Sequence, residues 1–334
     1  MNNLKVGLLG GGSWGTTVAS LASRNTETVM WARNEETVFE INSNHTNEKY
    51  LPGARLYENL KATASLKDAV KDADVVVMGI PAQRFRQVLE QAKPHIRPWV
   101  PIVSLAKGLE QGSRKRMTEI IEEVMPGHPA GVLSGPNLAR EIIVGQAAAS
   151  VIAMVDDNIA IPLQKLFSTG LFRVYRNDDV IGCELGGALK NVIAIAAGMG
   201  DGAGAGENTR AMVITRGLAE ITRLGVALGG KPATFAGLAG MGDLVATCIS
   251  PLSRNHTVGY QLGQGRKIEE IIAEMSMVAE GVKTVPVVIE MGDICDCDMP
   301  IAQEVYKIVN GTSTVNDVFR GLLKRESGLE ADPL

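Results

Sequence analysis

Lys190 and Asn191 stand in the middle of GGALKNVIAIAAG, Gly186 to Gly198, a stretch otherwise built of small and apolar residues. Lysine is almost never buried without a partner. The pair is therefore either a snorkelling surface feature or a cation kept for chemistry. Other polar islands offer the partners that a buried cation needs. Asp243 interrupts AGMGDLVAT, and SPLSRNHT sets Ser253, Arg254 and Asn255 side by side. Ser253 reads as a helix N-cap. A hydroxyl, a guanidinium and an amide then gather where backbone N–H groups and the helix dipole favour an anion. The glycine-rich loop GDGAGAGENTR is a further island. Earlier in the chain, Lys107 in VSLAKGLE is a lone cation directly after a strand pattern, placed to reach a substrate carbonyl or phosphate. Gly135, Pro136 and Asn137 follow another strand in the same way. Ligands of open α/β sheets lie beyond the carboxyl ends of the strands.

A second chemistry is written at the N-terminus. KVGLLGGGSWGTTVA carries Gly10-x-Gly12-x-x-Gly15 directly after an apolar strand and directly before a helix pattern. In that context the motif is a dinucleotide fingerprint. Gly10 makes the tight turn, Gly12 lets a pyrophosphate approach the backbone, and Gly15 lets the helix pack closely. The strand TVMW then runs into ARNEE, so Arg33 occupies the place where an acidic residue would bind a ribose 2′-hydroxyl. Arginine accommodates a 2′-phosphate, which points to NADP(H), or to use of both NADP(H) and NAD(H). No G-x-x-x-x-G-K-[ST] loop occurs.

The elements that must position these residues divide near residue 180. Strand patterns recur at Leu4–Leu9, Thr28–Trp31, Val75–Ile80, Pro101–Leu105, Ala130–Leu133, Ser150–Met154 and Phe172–Val174. Helical stretches alternate with them, as in a parallel sheet covered on both faces. Beyond that point Glu184–Ala197, Thr209–Ala227, Ile268–Met275, Val282–Cys295 and Ile301–Val309 read as helices, with no convincing strand. The expected fold is α/β followed by all-α. A Rossmann-like NAD(P)-binding domain spans residues 1–180, a helical substrate-binding and catalytic domain residues 181–325, and a polar tail residues 326–334. The 334 residues fit two domains better than one.

Composition narrows the partners. A net charge of −4 offers no basic footprint for nucleic acid. No apolar run approaches the about 20 residues that span a bilayer, and the N-terminus reads as a strand rather than a signal peptide, so a cytoplasmic protein without stable membrane insertion is expected. Cys183, Cys248, Cys295 and Cys297 lack zinc-site spacing and read as reduced thiols. His45, His95, His128 and His256 are isolated in sequence, which supports neither a metal site nor a histidine-centred triad.

Taken together, these islands resemble the bacterial-type NAD(P)-dependent glycerol-3-phosphate dehydrogenases. The likeness runs from Gly10 to about Ile308 through GGGSWGT, WARN, AKGLE, SGPNLARE, FRVYRNDDVIGCELGGALKNVIAIAAGM, ITRGLAE, LAGMGDLVATC, SRN, GQG, VAEGVKT and MPIAQEVY. The block around Lys190 and the SRN segment are the most specific. The resemblance implies interconversion of dihydroxyacetone phosphate and sn-glycerol 3-phosphate, a small phosphorylated three-carbon substrate, supply of glycerophospholipid synthesis, and a homodimer. It also implies residue roles. Ser13, Trp14, Arg33, Ala139, Val278 and Glu280 would contact cofactor, and Lys107 and Arg254 both cofactor and substrate. Gly135, Asn137, Asp243, Ser253 and Asn255 would hold substrate, and Lys190 would be the acid–base residue. Four positions, in three places, depart from the family pattern. Asn137 and Leu138 replace a hydroxyl residue and Phe, Ala205 replaces an aromatic before Gly206, and Gly11 replaces Ala. The first two alter the fit of the substrate pocket rather than the reaction.

Carbonyl reduction needs a proton donor and charge stabilisation, and without a suitable histidine a lysine is the natural acid. Its reference pKa of about 10.4 must fall for it to act also as a base. A second cation such as Lys107 or Arg254, at ~6 Å and an effective dielectric of ~20, supplies about 2.8 kcal/mol, or roughly two pKa units. Asp243 and the substrate phosphate act in the opposite direction. Two other readings remain at this level. One is a related two-domain hydroxyacid dehydrogenase, which would recognise a carboxylate. The other is a non-catalytic dinucleotide sensor, which would tolerate loss of Lys190, Asp243 and Arg254.

Overall fold

A computed structural model describes residues 4–275, 279–315, 317 and 318. Its chain divides into two compact units. Residues up to Ala106 and Lys115–Val180 form the first, while Lys107–Arg114 and the residues from Ile181 onward form the second. The excursion of Lys107–Arg114 departs from a first domain that runs unbroken to residue 180. Its physical cause is Leu109, fully buried in the core of the second unit.

The first unit is built on β1 (Val6–Leu9), β2 (Thr28–Trp31), β3 (Lys61–Thr63), β4 (Val75–Met78), β5 (Ile102–Ser104), β6 (Ala130–Ser134), β7 (Ala148–Met154) and β8 (Phe172–Asn177). They form one sheet in the order β3-β2-β1-β4-β5-β6-β7-β8. β1 and β4 are buried along their whole length, as central parallel strands are. Their side chains alternate between two cores: Val75 and Val77 enter one, Val76 and Met78 the other. Two features differ from the sequence reading. β3 was not foreseen, because KAT is a three-residue edge strand with one apolar side chain. β7 runs antiparallel to β6, with Leu133 opposite Ile152, while the remaining pairs are parallel. The link between them carries only the five-residue helix Ala139–Ile143. A helix of that length rises about 7.5 Å, too little to return along a strand of about 17 Å.

The second unit is helical, with no strand among its described residues. Its principal helices are Val180–Gly202, Glu207–Ala227, Asp243–Ile249, Arg254–Gly263, Ile268–Glu274, Glu280–Ile294 and Pro300–Val309. The Lys190 helix runs to Gly202, so the glycine island shrinks to a four-residue connection before Glu207. This helix and the stretch Pro232–Ile249 are long and apolar enough to cross a bilayer, contrary to the sequence reading. The apolar window of the first is 89% buried inside the protein, which makes it a core helix. The polar tail 326–334 lies outside the described residues.

Two helices of this unit meet backbone against backbone. A Cβ on Gly198 or Gly202 would lie 2.1 Å or 2.0 Å from the carbonyl oxygens of His256 and Tyr260. A Cβ on Gly259 or Gly263 would lie 2.0 Å or 2.3 Å from those of Ile195 and Met199. Two G-x-x-x-G ridges therefore interlock, and helix Arg254–Gly263 is seated against the Lys190 helix with no room for a methyl group. Gly259→Ala is expected to cost about 2–3 kcal/mol by overpacking, lowering the melting temperature by roughly 5–10 °C. Gly206→Ala, where a Cβ meets nothing within 4 Å, is the control that should leave the transition in place.

Candidate active site

In the helical unit the chemistry gathers on one carboxylate. Lys190 is 4% exposed and Asp243 2%. Lys190 Nζ lies 3.0 Å from Asp243 Oδ1, and Lys107 Nζ lies 2.7 Å from Asp243 Oδ2. Asp243 thus bridges two ammonium groups that are distant in sequence, and one positive charge is left over. Lys190 Nζ also donates to Thr247 Oγ1 at 2.6 Å. That hydroxyl passes its own hydrogen to the Asp243 carbonyl, one helical turn back. An ammonium has three N–H groups; two are spent here, and among the described residues no protein acceptor takes the third. Burial pushes the Lys107 ammonium down to about 8, with Lys190 adding to the fall and Asp243 opposing it. Burial pushes the neighbouring Cys248 thiol up to about 12, so that thiol stays protonated.

Asn191 settles the backbone around this centre. Its Nδ2 donates to the Lys107 carbonyl at 2.9 Å, and its Oδ1 accepts from Asn255 Nδ2 at 2.8 Å. Asn255 Oδ1 accepts from the Gly281 N–H at 3.0 Å. Four chain segments are joined by these three bonds. Ser253 is the N-cap of the next helix, accepting from the His256 N–H, as the sequence suggests. Arg254 is exposed at the first position of that helix, within the electrostatic reach of Glu280. His256 is not isolated: its Nε2 lies 2.7 Å from Asp201 Oδ2, and Asp201 also holds Arg210. Among the described residues no group of His, Cys, Asp and Glu side chains could hold a metal ion.

In the sheet unit the fingerprint glycines occupy positions that demand glycine. Gly10 has φ of +124°, and a Cβ there would strike the Gly79 carbonyl at 2.3 Å. Gly79 follows β4, so this contact closes the point where the strand order reverses. A Cβ on Gly15 would strike the Gly10 carbonyl at 2.2 Å, whereas one on Gly12 would meet nothing within 4 Å. Gly12 begins helix Ser13–Ala22 without a side-chain cap. A buried donor, Trp14 Nε1, has no partner among the described residues, while the ring packs edge-on to Phe172. The open approach at Gly12, the uncapped helix start and this donor suit a dinucleotide pyrophosphate and its flanking groups. Ser13 Oγ donates to the Tyr50 carbonyl. Ala139 packs on the same core as Trp14, and Arg33 is exposed just past β2. Gly135 has φ of +138°. Asn137 Nδ2 donates to Ser150 Oγ at 3.2 Å, while Asn137 Oδ1 is buried without a partner among the described residues. Val278 lies outside the described residues.

The structure therefore brings Lys107, Lys190 and Asp243 into direct contact, and Asn255 adjoins them through Asn191. Gly10, Gly12, Ser13, Trp14, Gly15, Arg33, Gly135, Asn137 and Ala139 belong to the sheet unit; Arg254 and Glu280 belong to the helical unit. Sequence reasoning missed Thr247, whose only signal was its i, i+4 spacing from Asp243. It also missed Asp201 as the partner of His256, and Asn47, which touches the glycine turn.

Known proteins resemble this chain along its whole length. Residues 5–160 match the family model for the NAD-dependent glycerol-3-phosphate dehydrogenase N-terminus, and residues 179–320 match the model for its C-terminus. The chain is 63% identical over 330 residues to glycerol-3-phosphate dehydrogenase [NAD(P)+] 2 of Sphingopyxis alaskensis, covering 99% of both chains. It is 55% identical over 331 residues to glycerol-3-phosphate dehydrogenase [NAD(P)+] of Mycobacterium avium, covering 99% of this chain and 97% of that one. The crystal structure of glycerol-3-phosphate dehydrogenase from Coxiella burnetii superposes with a TM-score of 0.92 at 34% identity, covering 97% of this chain and 99% of that chain. With both halves matched in order and relatives alike over their full length, the chain belongs to the NAD-dependent glycerol-3-phosphate dehydrogenase family.

Proposed function

We propose that this chain catalyses the NAD(P)H-dependent interconversion of dihydroxyacetone phosphate and sn-glycerol 3-phosphate, with Lys190 as the proton donor and acceptor. The observation that carries the assignment is the Lys190 ammonium, held at two N–H groups by Asp243 and Thr247, with no acceptor for its third among the described residues. When bound, the dinucleotide supplies or takes up the hydride at C2. Gly10, Gly12, Ser13, Trp14, Gly15, Ala139 and Glu280 would hold it, and Arg33 would face a 2′-phosphate. In reduction the C2 oxygen gains negative charge and then a proton, which Lys190 Nζ donates. In oxidation the same nitrogen accepts that proton. The surplus positive charge of the two lysines around Asp243 stabilises the oxygen as its charge grows. Ser253, Arg254 and Asn255 would grip the phosphate remote from C2, and Gly135 and Asn137 would line the substrate. Binding energy from that remote group orients the reacting carbon. Asn255 already spends its Oδ1 and one N–H on Gly281 and Asn191, so its contribution is the second N–H. Cytoplasmic supply of glycerol 3-phosphate to phospholipid synthesis and a homodimeric state complete the reading, on the strength of the family resemblance.

Oxidation of NADPH followed at its absorbance band, with dihydroxyacetone phosphate as the acceptor, tests the activity. Lys190→Ala should lower kcat by about 10²–10⁴-fold, the usual worth of a general acid, with NADPH affinity retained. Near-wild-type turnover in that variant would remove Lys190 from the proton path. The Lys107 ammonium gives a separate, pH-dependent prediction. It is cationic below about 8 and neutral above, so the charge that favours an anionic substrate is present at neutral pH and lost as pH rises. The value of kcat/KM for dihydroxyacetone phosphate should fall through pH 8. A guanidinium stays charged in that range, so Lys107→Arg should move the alkaline fall upward by a unit or more. An unmoved profile would assign the fall to another group.

A further inference from the structure

Three consecutive glycines, Gly10 to Gly12, form the turn before helix Ser13–Ala22. Such a run has the greatest backbone freedom available to a chain. Ordering it at the moment of binding weakens affinity, and a turn held in advance avoids that loss. The fingerprint holds Gly10 and Gly15 by close packing against each other and Gly79, and the Thr16 N–H holds the Gly12 carbonyl at 2.8 Å, but the Gly11 carbonyl takes its partner from outside the fingerprint.

We infer that Asn47, outside the fingerprint, is the residue that holds the glycine turn in the shape the cofactor pyrophosphate requires. Asn47 is fully buried. Its Nδ2 donates to the Gly11 carbonyl at 3.1 Å and to Thr16 Oγ1 at 2.9 Å, so one amide spans the turn and the first turn of the helix. The Gly11 carbonyl can only accept, which fixes the orientation of the amide. A second tether, Ser13 Oγ to the Tyr50 carbonyl at 3.0 Å, comes from the same segment. That segment is itself anchored. Its Tyr50 and Leu51 N–H groups donate to the Asn47 carbonyl. Glu40 Oε1 accepts from the Glu48 N–H and from Thr46 Oγ1, and Leu51 enters the core. Asn47 therefore acts from a fixed platform, as a positioning residue without contact to the reacting atoms. The pyrophosphate is common to NADPH and NADH, so its effect is the same on both.

The inference rests on the cofactor assignment, and direct binding separates the two. NADPH and NADH are titrated by their own fluorescence, and ADP-ribose by competition, against the full-length protein. Asn47→Ala should weaken all three at least tenfold and in equal proportion, with the KM for dihydroxyacetone phosphate at saturating NADPH within twofold of wild type. Thr16→Val is isosteric and removes one of the two anchors, so it should weaken all three about threefold even if Asn47→Ala fails to fold. Unchanged affinities in Thr16→Val would overturn the inference. So would a lowered melting temperature in Asn47→Ala with dinucleotide affinity intact, or a loss confined to NADPH. A wild-type protein that binds none of the three would instead refute the cofactor assignment.

Discussion

Asp243 gives one oxygen to Lys190 and the other to Lys107 in a site that solvent barely reaches. Without that carboxylate two ammonium groups would face each other in low dielectric, and breaking a buried pair of this kind costs several kcal/mol. The carboxylate does more than neutralise. It draws the Lys107–Arg114 segment onto the helical unit, where Leu109 completes the core. It also sets the direction of the Lys190 side chain, because Thr247, one turn further along the same helix, takes a second N–H. The excess of one positive charge that remains is what an oxygen gaining negative charge can use.

Charge alone would not keep this arrangement in register. The interlocked glycines of helices Val180–Gly202 and Arg254–Gly263 remove the space in which the two helices could slide. The Asn191–Asn255 bond then ties the residue after Lys190 to the residue after Arg254. The Lys190 ammonium and the Ser253–Asn255 segment are thus set on two helices whose separation is decided by backbone contact. The same strategy recurs in the sheet unit, where Gly10, Gly15 and Gly79 bring the fingerprint helix onto the sheet.

What could be read from the sequence follows from which constraints are local. The fingerprint was legible because its glycines answer demands within one turn: a positive φ at Gly10 and a close approach at Gly15. Lys190 was conspicuous because a lysine in an apolar helix is anomalous. Its partner was not legible, since Asp243 lies 53 positions onward and spacing says nothing of distance. His256 read as isolated for the same reason, although Asp201 meets it on the neighbouring helix. β3 escaped notice because an edge strand of three residues need not be apolar. The reversal of β7 depended on the length of a connecting helix rather than on the strand's own residues. Asn47 belongs to no motif at all; only the fold shows which turn it touches.

Chemical rescue of Lys190→Ala by small primary amines tests the central claim most directly. If Lys190 Nζ carries the proton, adding methylamine or its homologues should restore dihydroxyacetone phosphate reduction in proportion to amine concentration. The rescued rate should also vary with amine basicity, as general acid catalysis requires. A rescued rate that ignores amine pKa, or no rescue by amines in a variant that still binds both NADPH and substrate, would contradict the account.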